Sequence, residues 1–599
     1  MKKLTFSIIG RKVVIRLRDR VCESPQELLS SKLFRKILVR CIADLSKKGS
    51  PLLGIFNKEI AEIDEKDLDR LIEEFQFLEK MPIELIPKLV EGSDQIVGNT
   101  SMLERFVDYL YNYWREHERF LICDSEGDVL DERPYRTFNS TVEVLIHLVR
   151  QTYRDIQENI TKRHPNIYRQ VNAGAEIAAI ALRKTLYDPQ GRYGKLNDIL
   201  VIRQILLYPP LLLNPPMNKR TGQFELVDRN PLDVIDDLEP EKWLAYPAKV
   251  GPLLIIIYFH ERFFELGFSL CNLFELAEDD FLKRPPDAIY LFGTPGMGLD
   301  GMAARWPTVF YEDAQANMLI AAVPGRDEFG YFGYLKKMVL TLHNIKIMEQ
   351  GKMPFHGAMA RVIMKGNKKA TILLIGDTAT GKSETLEAFR ILGEEEIEDM
   401  TIIADDMGSL NIDDEGNIFG YGTEIGAFVR LDDLQPGFAF GQLDRTIIMN
   451  PNQVNARVVL PVTTYEDVTK GFEVDYILYA NNYEETDEDH PIVDRIHSVE
   501  KAIDIFREGT AMSKGTTTST GLVHTYFANI FGPVQYKSTH EVIAKRYFEA
   551  FFRKGIVVGQ LRTRLGITGW ERKGPEEAAR QIISTIKETG DCLATNDGR

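Results

Sequence analysis

The segment Gly376-Asp377-Thr378-Ala379-Thr380-Gly381-Lys382-Ser383 constrains this chain more than any other. It fits the pattern G-x-x-x-x-G-K-[ST], and its flanks fit as well. The apolar, β-branched run Ala370–Ile375 before it reads as a buried strand. The run from Glu384 to Leu392 after it has helical periodicity and stops at Gly393. A strand, a glycine-rich loop and a helix N-terminus in that order present successive backbone N–H groups to phosphate oxygens. Lys382 then supplies a positive charge to the β and γ phosphates, and the Ser383 hydroxyl can hold Mg²⁺. Some twenty residues on, the apolar run Thr401–Ala404 ends in Asp405-Asp406. Carboxylates at a strand end beside such a loop hold the far side of the same cation.

The rest of the chain narrows the class. Its 599 residues exceed one ordinary domain, and about two to four are expected. A net charge of −16 disfavours a general nucleic-acid binder or a protein of anionic membrane surfaces. Cys22, Cys41, Cys123, Cys271 and Cys592 are scattered without a C-x-x-C pair, which reads as reduced thiols in a cytoplasmic protein. The apolar runs Ile202–Leu213 and Leu253–Phe259 are too short to span a bilayer.

Residues 1–18 alternate around Gly10-Arg11 and predict a β-hairpin. From about 25 to 205 apolar residues recur at three and four, with helices expected over 101–121, 140–163 and 174–187. The Pro- and Asn-rich stretch 206–252 reads as a connector, and 253–283 as an aromatic-rich helix pair. The expected division is a mainly α-helical N-terminal region, 1–280, and a mixed α/β domain, 281–599, built around the phosphate loop.

Several short motifs occur in an order that resembles the phosphoenolpyruvate carboxykinases, especially the ATP-dependent type. They are Tyr331-Phe332-Gly333-Tyr334-Leu335-Lys336-Lys337, Pro354-Phe355-His356, the loop 376–383, Ala404-Asp405-Asp406, Asn455-Ala456-Arg457 and Thr568-Gly569-Trp570, spread over roughly 325–585. The resemblance implies a C-terminal P-loop domain of that family's type, with ATP as nucleotide and Mg²⁺ and Mn²⁺ as cofactors. It implies that Lys337, His356 and Asp406 ligate Mn²⁺, and that Ser383 holds Mg²⁺. Lys382, Asp405 and Arg457 become the catalytic groups, Arg457 as an arginine finger. Nucleotide contacts would run from Gly376 to Glu384, with Arg580 near the base. A neutral lysine ligand needs a strongly depressed pKa, which burial and the metal's charge can supply.

The departures from the family matter equally. Tyr334 stands where the family has a glutamate, Ala427 where it has a phosphate-contacting lysine, and Asp377 where it has an uncharged residue. No segment resembles the Thr-Gly-Arg-Ser-Pro run whose arginine binds the substrate carboxylate, and Arg305 is a weak substitute. The expectation is therefore an ATP- and metal-dependent phosphotransferase whose acceptor, a small molecule or a protein, differs from oxaloacetate. A true carboxykinase and a weakly active nucleotide sensor are the alternatives.

Overall fold

In a computed structural model, the chain is described from residue 5 to residue 594. Residues 18–20, 59–61, 95–97, 125–131, 166, 169, 183–190, 221, 236–237, 393–395, 435–443 and 515–519 lie outside the description. The fold is mixed α/β, in two compact units. One comprises Met1–Lys184 with Leu200–Leu211, the other Thr185–Ile199 with Leu212–Arg599. The division thus falls well before the expected boundary near 280.

The first unit contains the expected hairpin: Thr5–Ile9 pairs antiparallel with Lys12–Leu17. It is not purely helical. Lys12–Leu17 runs parallel to Glu118–Asp124, which runs parallel to Ile177–Leu182, and Leu200–Leu207 pairs antiparallel with Ile177–Leu182. The strand Ile177–Leu182 corrects the helix expected over 174–187. Its residues are buried up to Leu182, so apolar residues do not alternate, and periodicity alone cannot tell such a run from a buried helix. The helices Lys32–Lys47, Glu65–Leu78, Thr100–Arg115 and Glu132–Thr161 are amphipathic. Their apolar faces meet the sheet in one core that includes Leu38, Leu71, Phe106, Val142, Leu121 and Ala178.

The second unit holds two main sheets. In one, Trp243–Val250 is antiparallel to Leu253–His260, which runs parallel to Ala288–Thr294 and so to Met318–Pro324. The expected helix pair over 253–283 is thus corrected to a strand followed by the short helix Phe264–Ser269. In the other sheet, Met353–Met364 pairs antiparallel with Lys369–Ile375, Ile397–Ala404 and Met407–Ile412. Lys369–Ile375 runs parallel to Tyr476–Asn481, and that strand runs parallel to Val557–Arg562. Helix Phe332–Glu349 contacts Ala288–Thr294 of the first sheet and Met353–Met364 of the second. It is buried on nearly every side, polar residues such as Lys336, His343 and Asn344 included. Lys336 and Lys337 therefore emerge in the interior.

No helix among the described residues is long and apolar enough to cross a membrane.

Candidate functional site

The loop 376–381 joins strand Lys369–Ile375 to helix Lys382–Leu392, the order read from the sequence. The helix is anchored by Leu386, Ala388 and Phe389, which share a core with Ile372, Leu374, Ala578 and Ile582. Burying a side chain such as Phe389 contributes roughly 2–3 kcal/mol, so the helix N-terminus is held rigidly against the strand end.

Side chains from distant segments fix the loop itself. Ala379 and Gly381 have φ of +61° and +92°. A Cβ on Gly381 would lie 2.7 Å from Thr563 Oγ1, and one on Gly376 would lie 2.4 Å from Thr380 Oγ1. Thr563 Oγ1 donates to Thr380 O (2.6 Å), Asn482 Nδ2 to Ala379 O (2.9 Å), and Thr385 Oγ1 to Gly381 O (2.6 Å). Lys382 Nζ donates to Asp377 O (2.7 Å), and burial lowers its pKa. Asp377 Oδ1 accepts the Thr378 N–H at 2.6 Å and lies 3.5 Å from Asn529 Nδ2. A carboxylate thus occupies one of the loop's own N–H groups. Thr378 is exposed, and Glu384, in the first helical turn, is half-buried.

The acidic pair meets this loop. Ser383 Oγ lies 3.3 Å from Asp405 Oδ1, and burial raises the Asp405 pKa. Asp406 divides its two oxygens. Oδ1 lies 3.0 Å from His356 Nε2, and Oδ2 lies 2.7 Å from Lys336 Nζ. Burial works against the Asp406 charge, but Lys336 and His356 outweigh it and hold the carboxyl well below the ordinary range. Lys336 also reaches Glu424 Oε1 at 3.4 Å; burial raises the Glu424 pKa. The other ring nitrogen of His356, Nδ1, faces Ala528 O, which leaves Nε2 turned to the carboxylate. Ala528 is the middle of three consecutive residues, Phe527–Asn529, with φ between +45° and +60°. Backbone strain of this kind clusters where a site over-determines geometry.

Of the expected set Lys337, His356 and Asp406, the structure brings His356 and Asp406 together, and the lysine bonded to Asp406 is Lys336. Lys337 Nζ lies 4.7 Å from the centroid of the Phe531 ring. Burial, reinforced by Arg220, lowers its pKa from 10.5 to about 7, while Asp406 and Asp377 pull the other way. A large share of Lys337 is thus neutral near pH 7, the state in which an amine can ligate a cation. Among the described residues, no three His, Cys, Asp or Glu side chains gather as a metal-binding group. His356 Nε2 and Asp406 Oδ1 meet, and Lys337 is linked to them through the Phe531 ring, 5.7 Å from the His356 ring, and through the electrostatic pull of Asp406.

Arg457 begins strand Arg457–Pro461, with Arg430 as its register partner in Gly426–Arg430. Its guanidinium lies 5.4 Å from the Phe428 ring centroid and hydrogen-bonds the Tyr331 side chain, and its Nε is buried without a partner. A second guanidinium acts on Tyr331, that of Arg220, which the sequence reading missed. Arg220 lies 5.1 Å from the Phe224 ring and 5.7 Å from the Phe531 ring, and burial lowers its pKa. Among the described residues no carboxylate forms an ion pair with Arg220 or with Arg457. Tyr334, placed where a glutamate was expected, accepts the Gly222 N–H at 2.8 Å through its hydroxyl and ties the Arg220 segment to helix Phe332–Glu349. The only sequence signal was a Lys-Arg-Thr-Gly run inside a proline-rich connector.

Three expectations fare differently. Ala427 is buried in a small core with Val458 and Leu460, so it is a packing residue. Arg305 is exposed; its backbone N–H donates to Glu225. Arg580 is exposed on helix Lys573–Ala594, beside the buried Ala578 and Ala579, with no bond to the loop. The arginine next to the loop-bonding Thr563 is Arg564, 3.8 Å from the Trp570 ring centroid and ion-paired with Glu577.

A scan against protein-family models finds no match, and a search of curated proteins finds no relative.

Proposed function

We propose that the second unit is a nucleotide- and divalent-metal-dependent phosphotransferase, built like the phosphoenolpyruvate carboxykinases it resembles, that acts on an anionic acceptor. The observation carrying this reading is the meeting of Ser383 and Lys382, at a helix N-terminus, with Asp405 and Asp406 on the neighbouring strand end. Arg220 and Arg457 add half-buried guanidiniums that form no ion pair among the described residues, and phosphoryl transfer needs little more than positioning and charge neutralisation.

In this reading the loop N–H groups and Lys382 hold the β and γ phosphates. Ser383 would hold Mg²⁺, and Lys337, His356 and Asp406 would be the donors for Mn²⁺. When bound, these cations would spread the charge that develops on the phosphate oxygens. Arg457, desolvated beside Phe428, stabilises the same charge from the protein side. Asp405, whose proton affinity burial raises, is the carboxylate available to take the proton of a hydroxyl acceptor. Arg220 supplies the buried cation that a carboxylate or phosphate on the acceptor would pair with.

Arg220 also favours a second reading, true carboxykinase activity, since oxaloacetate carries carboxylates that need such a partner. Incubating the full chain with ATP, Mg²⁺ and Mn²⁺ and assaying ADP tests the first reading. Adding oxaloacetate and measuring CO₂ tests the second. No ADP with any anionic acceptor, in the presence of nucleotide binding, would overturn the phosphotransferase reading and leave a nucleotide sensor.

A further inference from the structure

The first unit contains an apolar cavity of about 130 Å³ among its helices. Its deep wall is built from Ile37, Phe75 and Leu145, all buried. Its outer wall is aromatic: Tyr111, Trp114 and Tyr153 line it and keep partial contact with solvent. The Tyr111 and Tyr153 rings stack face to face, 3.9 Å apart and 6° from parallel. Three polar groups in the lining are already engaged. Trp114 Nε1 donates to Ala173 O, Thr152 Oγ1 to Leu148 O, and Tyr153 Oη to Asp108. The bore itself is thus mainly apolar, and an apolar cavity on the order of 150 Å³ takes up a hydrocarbon ring.

The outer wall is ringed by positive charge. Burial raises the Tyr111 pKa, and the groups opposing that shift are guanidiniums, in order Arg115, Arg150, Arg154 and Arg119. Arg119 is paired with Glu176 at 2.9 Å. Among the described residues Arg115, Arg150 and Arg154 form no ion pair. Arg115 lies over the Tyr111 ring at 5.7 Å, and its Nε is buried without a partner. Arg154 lies over Tyr168 at 4.6 Å. Three carboxylates stand nearby: Asp108 accepts from Tyr153 and Asn112, Glu158 from Tyr168 and His164, and Asp155 from Gln151, with Arg154 as an electrostatic neighbour.

We infer that this cavity is a binding site for an amphiphilic anion, an alkyl or aryl chain that fills the apolar bore and ends in a carboxylate held by Arg115, Arg150 and Arg154. The bore sets tail size and the guanidiniums set headgroup charge. The inference is independent of the phosphotransferase reading, since it uses other residues and another unit.

Titration calorimetry of the full chain with octanoate, decanoate and decanol, all below micellar concentrations, tests it. Both carboxylates are expected to bind saturably, with decanoate tighter by about fourfold per added methylene while the bore has room. Decanol is expected to bind at least about tenfold more weakly, because hydrogen bonds to charged partners are roughly twice as strong as neutral ones. The double variant Arg150→Gln/Arg154→Gln should lose that preference and leave decanol binding unchanged. Val149→Trp should block the bore, and Leu33→Trp, on another part of the wall, serves if Val149→Trp does not fold by circular dichroism. Absence of saturable decanoate binding to the parent chain overturns the site. Decanol binding as tightly as decanoate overturns the anionic headgroup. Unchanged binding in folded tryptophan variants overturns the location.

Discussion

Lys336 Nζ lies 2.7 Å from Asp406 Oδ2, while its sequence neighbour Lys337 turns its amine to the face of Phe531. Successive residues on a helix point about 100° apart, so adjacent lysines cannot serve one carboxylate equally. One is a charged counter-ion and the other a depressed, partly neutral amine. Burial alone would make both neutral; Asp406 and Glu424 reverse that for Lys336 only.

The two lysines should therefore respond oppositely to removal of charge. Lys336→Met leaves Asp406 and Glu424 buried without their cation and should cost about 3–5 kcal/mol in urea unfolding. Lys337→Met removes a half-buried amine that has no carboxylate partner at bonding distance among the described residues. It should be near neutral or stabilising in the same measurement, with Mn²⁺-dependent turnover lost.

Lys382→Ala should abolish turnover with the fold retained. Lys382 donates to a loop carbonyl and not to a structural carboxylate, so the melting temperature should stay close to that of the parent. The loss of transition-state charge stabilisation is expected to reach 10²–10³-fold or more in kcat, roughly 2.7–4 kcal/mol. Equal turnover by variant and parent would remove the phosphate-loop assignment.

Stability should depend on pH with a sign set by Lys337. Its folded pKa of about 7 lies below the ordinary 10.5, so between these values the unfolded chain binds more protons. Unfolding free energy then rises with pH across that window, by at most about 1.4 kcal/mol per unit from this group. Glu424 acts in the opposite sense. Its folded pKa is raised above 4.5, so its contribution is present below that value and is lost as pH climbs through the folded pKa. Chemical denaturation from pH 5 to 10 checks both; the upper rise should vanish in Lys337→Met and the lower fall in Glu424→Gln.

Tyr334→Phe should weaken the acceptor side of the site while sparing the nucleotide side. It strips the buried Gly222 N–H of its acceptor, at a cost of about 1–3 kcal/mol, and loosens the segment bearing Arg220. KM for the acceptor should rise with the ATP dissociation constant unchanged; a change confined to ATP binding would contradict this placement of Arg220.

The strand, loop and helix around Gly376–Ser383 were legible because that signal is local: an apolar β-branched run, glycines and a periodic run follow one another. The approach of Ser383 to Asp405 followed from the same logic. Strands such as Ile177–Leu182 and Leu253–His260 were not legible as strands, because burial on both faces removes the alternation that marks one. Which of Lys336 and Lys337 pairs with Asp406 turns on helix phase, which two adjacent identical residues cannot reveal. Arg220 lay in a proline-rich stretch where nothing but the final packing, on Phe224 and Phe531, gives it meaning.

The close approach of Gly381 to Thr563 carries a consequence for the order of assembly. Thr563 follows strand Val557–Arg562 and donates to Thr380 O across 183 positions of chain. A contact of such sequence separation forms only after a costly loop closure, so it belongs to the late, non-local part of folding. On the ribosome, a nascent chain that has already exposed Lys382 still lacks the side chain that clamps the loop beside it. Competence to grip a nucleotide should consequently appear abruptly, when the last parallel strand emerges and docks, and not gradually as the preceding strands accumulate.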